Sequence, residues 1–294
     1  MTSRTSLLAV GALVINALVW GVSWWPFRDM QSHGLHPLWS TALIYVLATI
    51  GVLAWKPSAW RLLIQHRGLL ILMVAAGLTN VGFNWAVTVG DVVRVVLLFY
   101  LMPAWSVLIA WAMLGEKPTT GSLLRLLLAL VGVIIVLKSP ESPWPVPNSL
   151  ADWLALAGGL FFAVTNVLLR KHGDTPSESR MLAMFGGGAL MAIAAALLGM
   201  GAGIVPAPAF ALAGVPVAIG LCLAFMVSNL ALQYGAARLA ASTTALVMLT
   251  ELLFASVSSA WLGAAEFNTR TFVGGGLIVL AAMLAALAPP PKEH

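Results

Sequence analysis

The stretch Ser139-Pro-Glu-Ser-Pro-Trp-Pro-Val-Pro-Asn-Ser149 holds four prolines in eleven residues. Proline has no backbone N–H and its ring clashes with the preceding turn, so no helix runs through this segment. The chain on either side is of the opposite kind. Five long apolar runs precede it, at about 7–26, 36–55, 67–89, 92–114 and 121–138. Five follow, at about 150–170, 180–200, 212–236, 240–262 and 270–288. Each is near the roughly 20 residues that a helix needs to cross about 30 Å of hydrocarbon. A membrane β-barrel would show alternating segments of about ten residues instead. The expected fold is all-α: a polytopic membrane protein of ten transmembrane helices. Residues 1–138 form a first five-helix unit, 139–149 a linker and 150–294 a second five-helix unit.

Composition excludes the alternatives. Of 294 residues, 61% are hydrophobic and 9% charged, against about 25% charged in a soluble domain. Mean hydropathy is +0.97. Too few charges are present to clothe a soluble enzyme, and too many apolar residues for a disordered chain. One cysteine, Cys222, forms no internal disulfide. The net charge of +5 reads as topology, not as nucleic-acid binding. Eleven of the 15 Lys and Arg residues fall on the side holding the N-terminus, loops 2–3, 4–5, 6–7 and 8–9 and the C-terminus. The positive-inside rule then makes both termini cytoplasmic. The first run ends in Trp24-Trp25-Pro26, unlike a small-residue cleavage site, and is expected to remain as a span. Trp39, Trp55, Trp60, Trp144, Trp153 and Trp261 fall near span ends, where indoles favour the headgroup level.

The two halves resemble each other. Asn80-Val-Gly-Phe-Asn84-Trp85 in the third run is echoed by Asn229-Leu-Ala-Leu-Gln233-Tyr234 in the eighth. The fourth and ninth runs both end in Leu-Gly followed by an acid, Leu114-Gly115-Glu116 and Leu262-Gly263-Ala-Ala-Glu266. Five spans per half is an odd number, so the second half must insert upside down. Two inverted five-helix repeats are the plan of many secondary transporters.

Trp20-Gly21-Val-Ser23, Pro103 followed by Leu114-Gly115-Glu116, and the glycine-bearing last run of each half together resemble the drug/metabolite transporter superfamily of the ten-helix EamA type. The resemblance covers about 7–288. Val19-Trp-Gly-Val-Ser-Trp-Trp-Pro26 and Leu98-Phe-Tyr-Leu-Met-Pro-Ala-Trp-Ser106 are similar to YddG-type aromatic amino acid exporters. That likeness implies export of amino acids from the cytoplasm across a bacterial inner membrane.

Polar groups within spans need a partner or a wet cavity. Asn80 and Asn84 share a face of the third run, Asn166 lies on the sixth and Gln233 on the eighth. An uncharged amide can bind an ammonium or a carboxylate without fixing charge in the path. Asn16 and Asn229 are expected to make interhelical hydrogen bonds. Trp20 and Trp24 are four residues apart on the first run; Tyr100 and Trp105 flank Pro103; Phe162 and Tyr234 lie on the sixth and eighth. A mid-span proline frees a carbonyl and marks a break that can line a cavity. Glu251 is the acid well inside a span: either a proton-coupling group, or a structural carboxylate paired with a base such as Arg238. Arg94 is expected to snorkel to the interface.

No zinc-type His/Cys cluster and no Walker motif occur in the sequence, so no cofactor is expected and ATP is not the direct energy source. The expected partners are small amino acids, the lipid bilayer and protons as a coupling ion, with no nucleic acid and no enzymatic role. The reading is a secondary transporter exporting aromatic and other neutral amino acids by alternating access. The alternative is a broad drug or lipophilic-cation exporter.

Overall fold

The computed structural model describes residues 3–114, 118–137, 147–209, 214–236, 238, 247–248, 250–264 and 268–286. The linker segment 139–146, Glu116, Glu266 and most of the start of the ninth run lie outside them. The described elements are helices, with no strand among the described residues: α1 Ser3–Val22, α2 Trp24–Ser32, α3 Pro37–Trp55, α4 Ala59–Gln65, α5 Arg67–Val89, α6 Val92–Phe99, α7 Met102–Leu114, α8 Thr120–Leu137, α9 Leu150–Lys171, α10 Ser177–Gly201, α11 Gly214–Ala236, α12 Thr250–Trp261 and α13 Thr269–Ala286.

Six segments are long and apolar enough to cross a membrane: Leu7–Ser32, Pro37–Trp55, Arg67–Val89, Leu150–Leu169, Ser177–Gly201 and Gly214–Gly235. Shorter apolar helices cover Leu123–Ile135 and Phe272–Ala281. The first span continues six residues beyond its expected end, to Ser32, because Phe27 and Met30 supply a further buried turn at 0% exposure. The fourth run divides into α6 and α7. Pro103 has no N–H to offer the carbonyl of Phe99 four residues earlier. The chain instead tightens, with Leu101 N–H donating to the Leu98 carbonyl (3.2 Å), before α7 resumes.

The packing follows a regular scheme. α1 packs on α11 and α12; α9 packs on α5, α6 and α7; α3 packs on α10; α8 packs on α13. In span numbers these are 1 on 8 and 9, 6 on 3 and 4, 2 on 7, and 5 on 10. Exchanging the first five spans for the last five leaves this scheme unchanged.

Small residues permit the close crossings. A Cβ on Gly132 would lie 2.7 Å from the Gly274 carbonyl oxygen, so α8 and α13 meet backbone to backbone. Such contact is how apolar helices associate where lipid is as greasy as leucine. The opposite face of α8 presents Leu123, Leu127, Leu130 and Ile134 outward, at the three- and four-residue spacing of a single helix face. Trp55, Trp60, Trp153 and Trp261 are exposed near helix ends, as membrane-interface indoles should be.

Candidate functional site

For reference, the end bearing the 56–66 and 172–176 loops is the positive end; the end bearing the 33–36 and 90–91 loops is the opposite end. The site is assembled around the break between α6 and α7. Phe99 closes α6 and its ring meets Phe83 of α5 (centroids 4.7 Å apart) and Phe162 of α9 (5.3 Å). Phe83 in turn meets Trp20 of α1 edge-on at 5.9 Å, and Trp20 stacks on Phe225 of α11 at 4.6 Å. Tyr45 of α3 lies 5.8 Å from both Phe225 and Phe185 of α10. One continuous set of rings therefore joins helices of both halves. Edge-to-face and offset contacts of this kind add about 0.5–1.5 kcal/mol each beyond area burial.

Glycine lets α9 come this close. A Cβ on Gly159 would stand 2.6 Å from the Phe99 carbonyl oxygen, the group whose usual helical donor Pro103 lacks. The related crossing has the same device. A Cβ on Gly21 of α1 would stand 2.8 Å from the Glu251 carbonyl oxygen and 2.7 Å from Phe254 Cβ.

The anticipated residues separate into groups. Trp20 and Phe162 belong to the ring set. Tyr100 adjoins it, its ring 6.4 Å from Phe99, and its hydroxyl faces Glu251 Oε2 at 3.1 Å and the Met248 carbonyl at 3.0 Å. Glu251 thus meets a phenol, not Arg238, whose guanidinium lies over the Tyr234 ring at 3.8 Å. Asn80 accepts from the Tyr45 hydroxyl (2.6 Å) and donates to the Ala76 carbonyl (2.8 Å). Asn84 is fully buried; its amide is 3.4 Å from Thr41 Oγ1, and its Oδ1 has no hydrogen-bond partner among the described residues. Trp105 Nε1 is likewise buried without a partner among them. Trp24 donates from Nε1 to Ser258 Oγ (3.0 Å) and carries the Arg28 guanidinium over its ring.

Asn166 and Gln233 lie further along. Asn166 follows Phe162 by one turn on the same face of α9, opposite the face that carries the exposed Trp153. Burial along this inner face falls from Ala155 and Gly159, through half-buried Phe162, to exposed Asn166. On α11 the sequence Phe225, Asn229, Gln233 repeats the trend, from 2% to 9% exposed and then half-buried, with Gln233 donating to Asn229 Oδ1 at 2.8 Å. On both faces exposure rises toward the positive end. Tyr234 is on the side of α11 opposite Phe225 and is not brought to the rings. Asn16 donates to Ser228 Oγ (2.6 Å) and its carbonyl (2.9 Å), the interhelical role expected of it.

At the opposite end the halves are tied. Arg94 does not simply snorkel: its guanidinium grips Asp152 bidentately, Nε to Oδ1 at 2.7 Å and Nη2 to Oδ2 at 2.9 Å. The local sequence arranges this. Asp91 caps α6 by accepting from the Arg94 backbone N–H (2.7 Å), and Ser149 caps α9 by accepting from the Asp152 N–H (3.1 Å). Both ion-pair partners therefore stand at the third position of a capped helix.

Tyr45, Phe185, Phe225 and Asp152 were not among the expected site residues. Tyr45 had a legible signal, a hydroxyl inside an apolar run, which is the argument that found Tyr100. The two phenylalanines and Asp152 acquire their place only from packing between halves.

Residues 7–138 match the EamA-like transporter family. A crystal structure of a protein 18% identical in sequence aligns over 97% of this chain and 98% of its own, with a TM-score of 0.61. At that identity it speaks for the fold alone. Sixteen chains of solved structures match, whereas no curated protein does. Residues 7–138 of the chain are therefore similar to an EamA-like transporter family domain, and the long apolar helices of both halves are those of a multi-pass membrane protein.

Proposed function

We propose that this transporter exports aromatic and other neutral amino acids from the bacterial cytoplasm, its positive end and both termini facing inward. The observation that carries the reading is the continuous ring set spanning both halves at the α6–α7 break. A flat apolar side chain can replace one ring–ring contact with another at little loss of dispersion. The unspent Asn84 Oδ1 and Trp105 Nε1 are one acceptor and one donor, suited to an ammonium and a carboxylate.

The two halves would act as inverted repeats, rocking about this centre so that it opens to each side in turn. Trp20, Trp24, Asn80, Asn84, Tyr100, Trp105, Phe162, Asn166 and Gln233 remain the proposed substrate path, with the centre at Trp20, Asn84, Tyr100, Trp105 and Phe162; Tyr234, turned to Arg238, leaves it. Glu251 is the proposed proton-coupling group. It is 7% exposed and meets a neutral partner, so among the described residues no base neutralises its charge.

A second reading, export of lipophilic cations, draws on the same carboxylate beside aromatic faces, which attract cations. Uptake of labelled phenylalanine into liposomes holding the purified protein separates these. Saturable uptake is expected. Its absence from correctly inserted, folded protein overturns the amino acid reading.

A further inference from the structure

The Tyr100 hydroxyl sits between two acceptors on the other half of the molecule, Glu251 Oε2 at 3.1 Å and the Met248 carbonyl at 3.0 Å. Its one proton serves one of them fully at a time. Tyr100 is itself fixed at the α6 terminus, its N–H held by the Val96 carbonyl at 2.9 Å, and it is 4% exposed. The hydroxyl thus has little room to leave the carboxylate. α12, which carries Glu251, packs on α1 and α6. The bases of those two helices are Arg4, at the far start of α1, and Arg94, which is engaged by Asp152. Among the described residues, Tyr100 is the titratable side chain that meets Glu251.

Resting on the proposed coupling role of Glu251, we infer that Tyr100 is a positioning residue whose hydroxyl reads the charge of Glu251 across the two halves. With Glu251 ionised, the phenol donates to Oε2 in a charge-assisted bond, roughly twice as strong as a neutral one. With Glu251 protonated, the carboxylic O–H donates to the phenol oxygen and the phenol donates to the Met248 carbonyl. In both protonation states the phenol proton has an acceptor and Glu251 keeps its bond to the phenol, and the proton exchanged goes to or comes from water on whichever side is open. The bond joining α6 to the Glu251 side chain is tighter in the ionised state, so binding a proton loosens that tie between halves.

The test is the pH profile of phenylalanine transport in liposomes for the wild type, Glu251→Gln, Tyr100→Phe and Glu251→Asp. Tyr100→Phe keeps the ring and removes the donor. A carboxylate deprived of its donor holds its proton more firmly, so the midpoint should rise by about one pH unit. Glu251→Gln should be flat. Glu251→Asp, one methylene short of the hydroxyl, should move the same way as Tyr100→Phe, and the double variant no further. A Glu251→Gln protein that keeps its pH dependence overturns the coupling role itself. A flat Glu251→Gln with an unmoved Tyr100→Phe midpoint overturns only the inference about Tyr100. Should Tyr100→Phe not fold, an unmoved midpoint in Glu251→Asp overturns it equally.

Discussion

The crossing of α9 on α6 and α7 and the crossing of α1 on α12 are counterparts in the packing scheme, yet they differ chemically. The first is apolar at its centre, where Phe162 and Gly159 meet Phe99, and ionic at its rim, where Arg94 holds Asp152. The second is apolar where Gly21 meets Phe254 and carries polar contacts beside it: Glu251 of α12 meets Tyr100 at the α6 terminus, and Trp24, just beyond α1, donates to Ser258. Backbone geometry is shared, since each crossing relies on one glycine against a carbonyl oxygen, Gly159 on Phe99 and Gly21 on Glu251. Duplicated architecture thus fixes where helices touch, while substitution on the shared frame assigns one crossing to ring contact and the other to charge.

The shared part is the easiest to break. Gly159→Val and Gly21→Val each put carbon where a carbonyl oxygen lies within 2.8 Å. Overpacking of this kind costs about 1–3 kcal/mol or more. Both variants should yield little monodisperse protein in detergent. Failure of one alone would show that the two crossings do not carry equal structural weight.

The rims should differ by less. Asp152 is 1% exposed, so Asp152→Ala leaves a mostly desolvated guanidinium without its carboxylate. A loss of about 3 kcal/mol is expected, at the low end for breaking a buried pair because Arg94 is partly exposed. Ser258→Ala at the other crossing removes the acceptor of the Trp24 indole N–H and a local bond to the Ala255 carbonyl, of which the first, neutral and interhelical, is worth about 1 kcal/mol. Thermal unfolding in detergent compares them, and an equal shift would erase the distinction between rims.

The smallest effect is at the centre. Phe162→Leu keeps an apolar side chain but loses the ring contact with Phe99, about 0.5–1.5 kcal/mol. The half-saturating phenylalanine concentration should rise roughly two- to ten-fold, with leucine transport little changed. An equal loss for both substrates would mean that Phe162 packs the helices and does not discriminate.

Much of this was legible before the structure. Apolar run length announces spans because hydrocarbon leaves backbone groups no partner but their own helix. Pro103 announced the α6–α7 break for the same local reason. Tyr100, Trp20 and Phe162 were found by asking where a bulky or hydroxylated ring goes inside a span. What escaped depends on contacts distant in sequence. Arg94 reads as a residue bound for the interface until Asp152, 58 positions later, is placed beside it. Phe225 is one apolar residue among many until α11 lies on α1. Tyr234 shows the converse. Its match to Trp85 in the sequence repeat is a match of positions, and the helix turns its ring to Arg238 rather than to the centre.

The most direct test of the whole account is competition against labelled phenylalanine uptake in liposomes. Tryptophan, tyrosine and leucine should compete, aromatic ones most strongly, while a lipophilic cation such as tetraphenylphosphonium should not. Strong competition by the cation with none by the amino acids would contradict the account and assign the ring set and Glu251 to cation export.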